Sequence, residues 1–178
     1  MTSPISSIWI IGCSQAGKTT LAKLLVNRLR TRGHHSLMVD GDEIRAVHDN
    51  KLGFDPASRC KQTVRVKRLA NWVARQKTLP VVSIVHPFED DRLKCREEIP
   101  GYFEVYLKCG IKELIARDSK KLYLPALRGE KKNVVGVDIP YDEPGYADIT
   151  FDSEKLRPEE LLEQLWSILK PRLLDVEI

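Results

Sequence analysis

The sequence predicts an α/β fold, a three-layer sandwich in which helices cover both faces of a mainly parallel, five-stranded sheet. Short apolar segments rich in β-branched residues alternate along the 178-residue chain with segments whose apolar residues recur at helical spacing. Such alternation is typical of parallel sheets with crossover helices. The hydrophobic content of 42% and the charged content of 30% are ordinary for a globular protein. We expect residues 1–178 to form a single domain.

The first two strands enclose one predicted helix. Residues 7–11 (SIWII) form a continuous apolar run, which predicts the first buried strand. Leucines recur at helical spacing in residues 17–32, and Gly33 follows as a typical end of a helix. Residues 36–40 (SLMVD) predict the second strand.

Two further strands and three helices are predicted in the middle of the chain. Apolar residues between positions 64 and 73 predict a helix that ends before the third strand, residues 80–85 (PVVSIV). Residues 90–98 are charged enough to predict an exposed helix. Residues 103–108 (FEVYLK) predict the fourth strand, and residues 111–117 a short helix.

The last third of the chain combines a long irregular segment with a final strand and helix. Residues 119–146 are rich in Lys, Gly and Pro and show little periodicity. Loops of this length inside a compact domain are often functional, so we predict an active-site lid. Residues 147–152 predict the fifth strand, and Pro158 opens a closing amphipathic helix.

A phosphate-binding motif lies between the first strand and the first helix. Residues 12–19 (GCSQAGKT) match the pattern G-x-x-x-x-G-K-[ST] in full. The glycines let backbone N–H groups turn toward a phosphate, and the N-terminus of the helix favours negative charge. We expect Lys18 to reach the terminal phosphates and Thr19 to coordinate Mg²⁺, so ATP and Mg²⁺ are the predicted cofactors. The predicted loop contacts are Gly12, Cys13, Ser14, Gln15, Ala16, Gly17, Lys18, Thr19 and Thr20.

Two carboxylates follow the second strand. Asp40 and Asp42 flank Gly41, and Arg45 comes one helical turn later. Ligands of parallel α/β sheets bind at the carboxyl ends of the strands, so both carboxylates should lie near the phosphate loop. One can orient the metal shell, and the other can position or deprotonate a hydroxyl group. The pattern predicts a kinase acting on an alcohol with an anionic group, which Arg45 can bind. Alternatively, Asp40, Gly41 and Asp42 have only a structural role, as a turn that caps the following helix.

Several segments, in the same order and spacing, closely resemble the adenylylsulfate (APS) kinase family. They are GCSQAGKTT, DGDEIR, LGF at residues 52–54, Arg59, RDSKKLYLPALRGE from Arg117, and VDIPYDEPGYADITFD, which ends at Asp152. The resemblance implies a P-loop kinase fold. It also implies that ATP phosphorylates the 3′-hydroxyl of adenosine 5′-phosphosulfate (APS) to give PAPS, a step of sulfate assimilation.

The resemblance further implies roles for individual residues. Asp42 would position or deprotonate the hydroxyl and act with Lys18 in catalysis, while Thr19 and Asp40 would hold the metal. Arg117 would lie near the ATP base. The substrate-binding candidates are Asp42, Arg45, Phe54, Arg59, Gln62, Val85, His86, Lys120, Arg128 and Val134.

Four acceptor-side positions depart from the family pattern, whereas the ATP side matches it. Gln62 stands where the family has Asn, His86 where some members have Ser, and Val134 where an aromatic residue usually stacks on the acceptor base. Lys121 stands where the family has Gly. An alternative hypothesis is therefore a kinase for the 3′-hydroxyl of another nucleotide, such as a cytidine diphosphate derivative. A minor alternative is an ATP-binding regulatory module without turnover.

Composition limits the partners and the location that we expect. The net charge of +4 is modest and the basic residues are dispersed, which disfavours nucleic-acid binding. No apolar run approaches the ~20 residues of a membrane span, and the N-terminus does not resemble a signal peptide. We expect a cytoplasmic protein that binds a small nucleotide, without membrane contact. The family resemblance implies a homodimer.

Overall fold

The computed structural model describes residues 4–49 and 51–173, and its centre is a wholly parallel five-stranded sheet. The strand order is β2-β3-β1-β4-β5, so the central β1 pairs with β3 on one side and with β4 on the other. This arrangement confirms the predicted fold class and strand number. The strands are β1 (Ser7–Ile11), β2 (Ser36–Asp40), β3 (Leu79–Ile84), β4 (Tyr102–Lys108) and β5 (Ile149–Asp152).

In the described residues, seven α-helices connect and cover the strands. Two of them were not predicted. The segment 41–47 forms a short helix directly after β2, and residues 123–127 form a helix inside the segment expected to be irregular. The helices are α1 (Lys18–Thr31), α2 (Gly41–Val47), α3 (Pro56–Arg75), α4 (Glu89–Glu98), α5 (Ile111–Ala116), α6 (Tyr123–Leu127) and α7 (Pro158–Leu169), followed by a 3₁₀ turn at Lys170–Arg172.

Local capping explains two differences from the predicted helix bounds. Helix α3 begins at Pro56, well before its apolar stripe, because Asp55 accepts a hydrogen bond from the backbone N–H of Ser58. The single turn of α6 begins where the Asp118 carboxylate accepts from the backbone N–H groups of Leu122 and Tyr123. Both helix starts therefore depend on a carboxylate and not on hydrophobic periodicity.

The core has two layers, one on each face of the sheet. Alternate residues of β1 point to opposite faces, so Ile8 and Ile10 belong to one layer and Trp9 and Ile11 to the other. Helices α1 and α7 cover the first layer, while α3 and α4 cover the second. Helix α4 is not simply exposed as predicted, because its Arg92 and Cys95 are buried. In the described part of the chain, no helix has the length and apolar character that a membrane span requires.

Candidate active site

The phosphate loop turns sharply at the carboxyl end of β1. Gly12 has φ 143°, and a Cβ atom there would lie 2.6 Å from the carbonyl oxygen of Leu107, so only glycine fits. Gly17 caps α1 in a left-handed conformation, φ 94°. The loop thereby presents the free N–H groups at the start of α1 toward a cleft, which suits a phosphate.

Lys18 lies at the base of this loop. Its side chain is 8% exposed, and Nζ donates to the Cys13 carbonyl at 2.7 Å. Burial lowers the pKa of the amine from 10.5 to about 8, although the carboxylates of Asp42 and Asp40 favour the charged form. A bound polyphosphate would place negative charge next to the Lys18 amine and so favour its charged form.

Hard oxygen atoms that suit Mg²⁺ converge beside Lys18. Thr19 Oγ1 donates to Asp40 Oδ2 at 2.8 Å and lies 3.2 Å from Ser83 Oγ. The other Asp40 oxygen accepts from the backbone N–H of Asp42 at 2.9 Å, which fixes the carboxylate at the start of α2. Hydroxyl and carboxylate oxygens are the ligands that Mg²⁺ prefers, so this set fits the expected metal. Ser83 was not predicted. It lies opposite Asp40 in the β2–β3 register, a pairing visible only from the strand order.

The second carboxylate faces the lid segment. Asp42 forms an ion pair with Lys120 at 2.5 Å, with 65% and 53% of the two side chains exposed. Both residues line the same cleft as the phosphate loop. Behind them, Gln62 Nε2 donates to the carbonyl of Gly41 at 3.0 Å and tethers the segment that carries both carboxylates. Asp42 is thus held near the phosphate site while its oxygens stay accessible to a hydroxyl group.

Two arginines and one aromatic ring cluster in the part of the cleft where the acceptor was expected. The guanidinium carbons of Arg45 and Arg59 lie 4.6 and 5.7 Å from the ring centroid of Phe54. Arg45 also donates to the carbonyls of residues 52 and 53, and Arg59 to the carbonyl of Phe54. A further bond, 2.9 Å from Arg59 Nη2 to the carbonyl of Asn133, joins this cluster to the lid segment. Two fixed guanidinium groups favour a dianionic acceptor.

Three of the four departures from the family pattern, Gln62, His86 and Val134, are buried and line the cleft, whereas Lys121 is exposed. His86 is 1% exposed, has φ 51°, and neither ring nitrogen has a hydrogen-bond partner in the described chain. Burial lowers the pKa of its imidazole to about 3, so the ring is neutral at working pH. Val134 is held in a turn by Asp138, which accepts from its backbone N–H at 2.6 Å. Val134 belongs to the same core layer as Tyr123 and Ala126 of α6.

At the opposite end of the cleft, Arg117 connects α5 to the end of β5. Its Nε donates to Glu113 at 2.7 Å and its Nη2 to the carbonyl of Ser153 at 2.9 Å. Leu156 and Pro158 line the cleft beside it. This part of the cleft therefore combines a guanidinium group with apolar side chains.

Residues 14–20 of the loop, the two carboxylates, Lys120, the cluster of Arg45, Phe54 and Arg59, and Arg117 line one continuous cleft of about 990 Å³. Of the predicted site residues, Gly12, Cys13 and Arg128 do not line it. Arg128 instead pairs with Glu130 at the surface, at 2.7 Å. The remaining predicted residues are brought together. Residues that sequence reasoning missed include Ser83, Glu43, Thr63, Lys131, Lys132 and Asn133. Lys131 and Lys132 could have been predicted, because they are adjacent basic residues within the predicted lid.

Comparison with known proteins gives concordant matches. The family model described as "Adenylylsulphate kinase" matches residues 5–152. A protein of Archaeoglobus fulgidus named "Probable adenylyl-sulfate kinase" is 38% identical over 148 residues, covering 83% of this chain and 96% of its own length. The "Probable bifunctional SAT/APS kinase 2" of Sorangium cellulosum is 36% identical over 163 residues, which cover 92% of this chain but only 28% of that longer protein.

A solved structure extends the comparison to three dimensions. The Mycobacterium tuberculosis APS kinase CysC, in complex with AMPPNP and APS, superposes with a TM-score of 0.87 at 26% identity. The match covers 95% of this chain and 99% of that chain.

Proposed function

Since the chain belongs to the adenylylsulphate kinase family, we propose that it transfers the γ-phosphate of ATP to the 3′-hydroxyl of APS, giving PAPS and ADP. The observation that carries the proposal is the convergence of Lys18, Thr19, Asp40 and Asp42 in one cleft, with Arg45 and Arg59 at its acceptor end. The names of the matched relatives do not favour the alternative acceptor, a cytidine diphosphate derivative.

The phosphate loop and Lys18 bind the ATP phosphates in this proposal. Backbone N–H groups at the start of α1 and the Lys18 ammonium face the same space, so charge that develops on the transferred group meets fixed donors. Mg²⁺ held beside Thr19 and Asp40 would neutralise charge on the β- and γ-phosphates. Arg117 would border the base of ATP at the apolar end of the cleft.

The acceptor is held by the other half of the cleft. Arg45 and Arg59 would bind the phosphosulfate, with their guanidinium planes supported by Phe54. Asp42 would position or deprotonate the 3′-hydroxyl, and for that its ion pair with Lys120 must open or shift. Gln62, Val85, His86 and Val134 would border the acceptor. The retention of both Lys18 and Asp42 supports catalysis over a purely regulatory ATP site.

Residues 119–146 serve as a lid in this proposal. Lys120 and Asn133 from this segment contact Asp42 and Arg59, so the segment lies across the acceptor end of the cleft. Exclusion of water there would suppress hydrolysis of ATP. The single domain, the cytoplasmic location and the homodimer stay predictions.

The test compares the purified chain with an Asp42→Asn variant, given ATP, Mg²⁺ and APS. We expect the wild type to form PAPS, and the variant to lose roughly 100-fold or more in kcat while its affinity for AMPPNP changes little. Asp90→Asn, an exposed carboxylate on α4, is the matched control and should behave as wild type. Normal turnover by Asp42→Asn would overturn the role of Asp42, and absence of PAPS from the wild type would overturn the function itself.

A further inference from the structure

A buried arginine on α4 joins two segments that are far apart in the sequence. Arg92 is 3% exposed, and its Nη1 donates to the carbonyl of His86 at 2.9 Å. Its Nη2 donates to the carbonyl of Asp142 at 2.7 Å. Residues 85–87, here called the acceptor wall, line the cleft. Residues 141–143, here called the lid root, lie near the C-terminal end of the lid segment. One guanidinium group therefore connects the acceptor wall with the lid root.

Arg92 is directed to these carbonyls and not to an ion pair. Across residues 4–49 and 51–173, no carboxylate lies within ion-pair distance of its guanidinium. Its carbon instead lies 5.8 Å from the ring centroid of Tyr141, which itself stacks on Tyr106 at 5.6 Å. A planar fork of donors can reach two carbonyls at once, which a lysine ammonium cannot do with the same geometry. The chemistry of arginine is therefore used to fix two backbone segments.

The acceptor wall has a strained backbone and contacts the lid root directly. His86 adopts φ 51°, which is costly for a residue with a side chain, and its ring nitrogens make no hydrogen bonds in the described chain. The hydrogen bond from Arg92 fixes the position of the His86 carbonyl. The lid root is held by the same turn, because Asp142 N–H donates to the Pro87 carbonyl at 3.0 Å and Asp142 Oδ2 accepts from Glu89 N–H at 3.1 Å.

We infer that Arg92 is a positioning residue that keeps the lid root in register with the acceptor wall, so that the lid closes over a correctly placed acceptor. This inference rests on the proposed function of the same cleft. Without Arg92, the lid would close imperfectly, and water could attack the γ-phosphate in place of the 3′-hydroxyl. That reaction yields ADP and inorganic phosphate, whereas productive transfer yields ADP and PAPS.

The test measures ADP and PAPS in the same reaction for wild type, Arg92→Met and Arg92→Lys. Lys94→Met is the matched control, since Lys94 is an exposed basic residue of α4 that contacts neither the acceptor wall nor the lid root. The wild type and the control should form about one ADP per PAPS. Arg92→Met should form about two or more ADP per PAPS, and its kcat/KM for APS should fall ~10- to 100-fold with a nearly unchanged KM for ATP. Arg92→Lys should lie between them.

A second measurement follows the lid without turnover. Trypsin should cut the lid lysines of Arg92→Lys and Arg92→Met faster than those of the wild type when AMPPNP is bound. If Arg92→Met does not fold, Arg92→Lys alone decides both measurements. A folded Arg92 variant with one ADP per PAPS, an unchanged KM for APS and normal protection of the lid would overturn the inference. Equal uncoupling by Lys94→Met would overturn it as well. Absence of PAPS from the wild type would instead count against the proposed function, and lid protection would still be measurable.

Discussion

Replacement of Lys18 by methionine should stabilise the nucleotide-free protein while removing its activity. Burial lowers the pKa of the Lys18 amine from 10.5 to about 8, so the charged side chain is unfavourable in the folded protein at pH 7. That difference corresponds to roughly 3 kcal/mol. Methionine keeps the length of the side chain but loses the hydrogen bond to the Cys13 carbonyl, worth about 1 kcal/mol. The expected net gain in unfolding free energy is about 2 kcal/mol.

The sign of the pH dependence follows from the same values. Below pH 8, Lys18 is protonated in both the folded and the unfolded chain, and the full cost of burying the charge is present. Between pH 8 and 10.5 the unfolded chain keeps a proton that the folded protein has released, so wild-type stability from this group rises with pH. The variant lacks this contribution. Its advantage over the wild type should therefore be largest at pH 7 and shrink toward pH 10.

Urea and thermal unfolding of both proteins without nucleotide, at pH 7 and pH 9.5, provide the measurement. At pH 7, we expect the Tm of Lys18→Met to lie ~4–8 °C above that of the wild type. Lys23→Met, which changes an exposed lysine on the same helix, should leave the Tm unchanged. A Lys18→Met variant that is less stable at pH 7, or whose advantage is the same at both pH values, would refute the reasoning.

Three other outcomes are expected. Binding of AMPPNP at pH 8.5 should be accompanied by proton uptake, because the negative triphosphate favours the charged form of Lys18. Calorimetry in two buffers of different ionisation enthalpy measures this uptake, and binding heats that do not depend on the buffer would contradict it. Tyr123→Phe should lower the unfolding free energy by about 1 kcal/mol, because the hydroxyl of the fully buried Tyr123 donates to the Ser14 carbonyl at 2.8 Å. Urea unfolding measures the change, and an unchanged unfolding midpoint would contradict the contribution of this hydrogen bond. Wild-type stability should fall as the pH drops below 6.5, since the unfolded chain protonates His86 while the buried ring stays neutral until about pH 3. Between pH 6.5 and 4.5, the His86→Gln variant should lose about 2–3 kcal/mol less unfolding free energy than the wild type. Equal losses in both proteins would show that His86 is not the cause of the acid sensitivity.

The sequence alone determined the features that depend on contiguous residues. The strand–loop–helix at residues 7–31 is such a feature, because an apolar run, two glycines and a periodic helix all lie next to one another. The sheet was likewise predictable from alternating patterns, and so was the position of Asp40 and Asp42 at the end of β2. Each of these properties follows from steric and hydrophobic preferences over a few neighbouring residues.

Only the tertiary structure decided which distant residues meet. Ser83 reaches Thr19 because β3 lies between β2 and β1, an order that no local pattern specifies. Arg92 looked like part of a charged, exposed helix, yet it is buried, because two backbone carbonyls from separate segments satisfy its donors. A charge can be buried when its partners come from elsewhere in the chain, and hydrophobic periodicity carries no information about such partners. Most of the predicted site residues do line the cleft, whereas the presence of Ser83 and the contacts between the site residues were decided by the packing of the sheet and its lid.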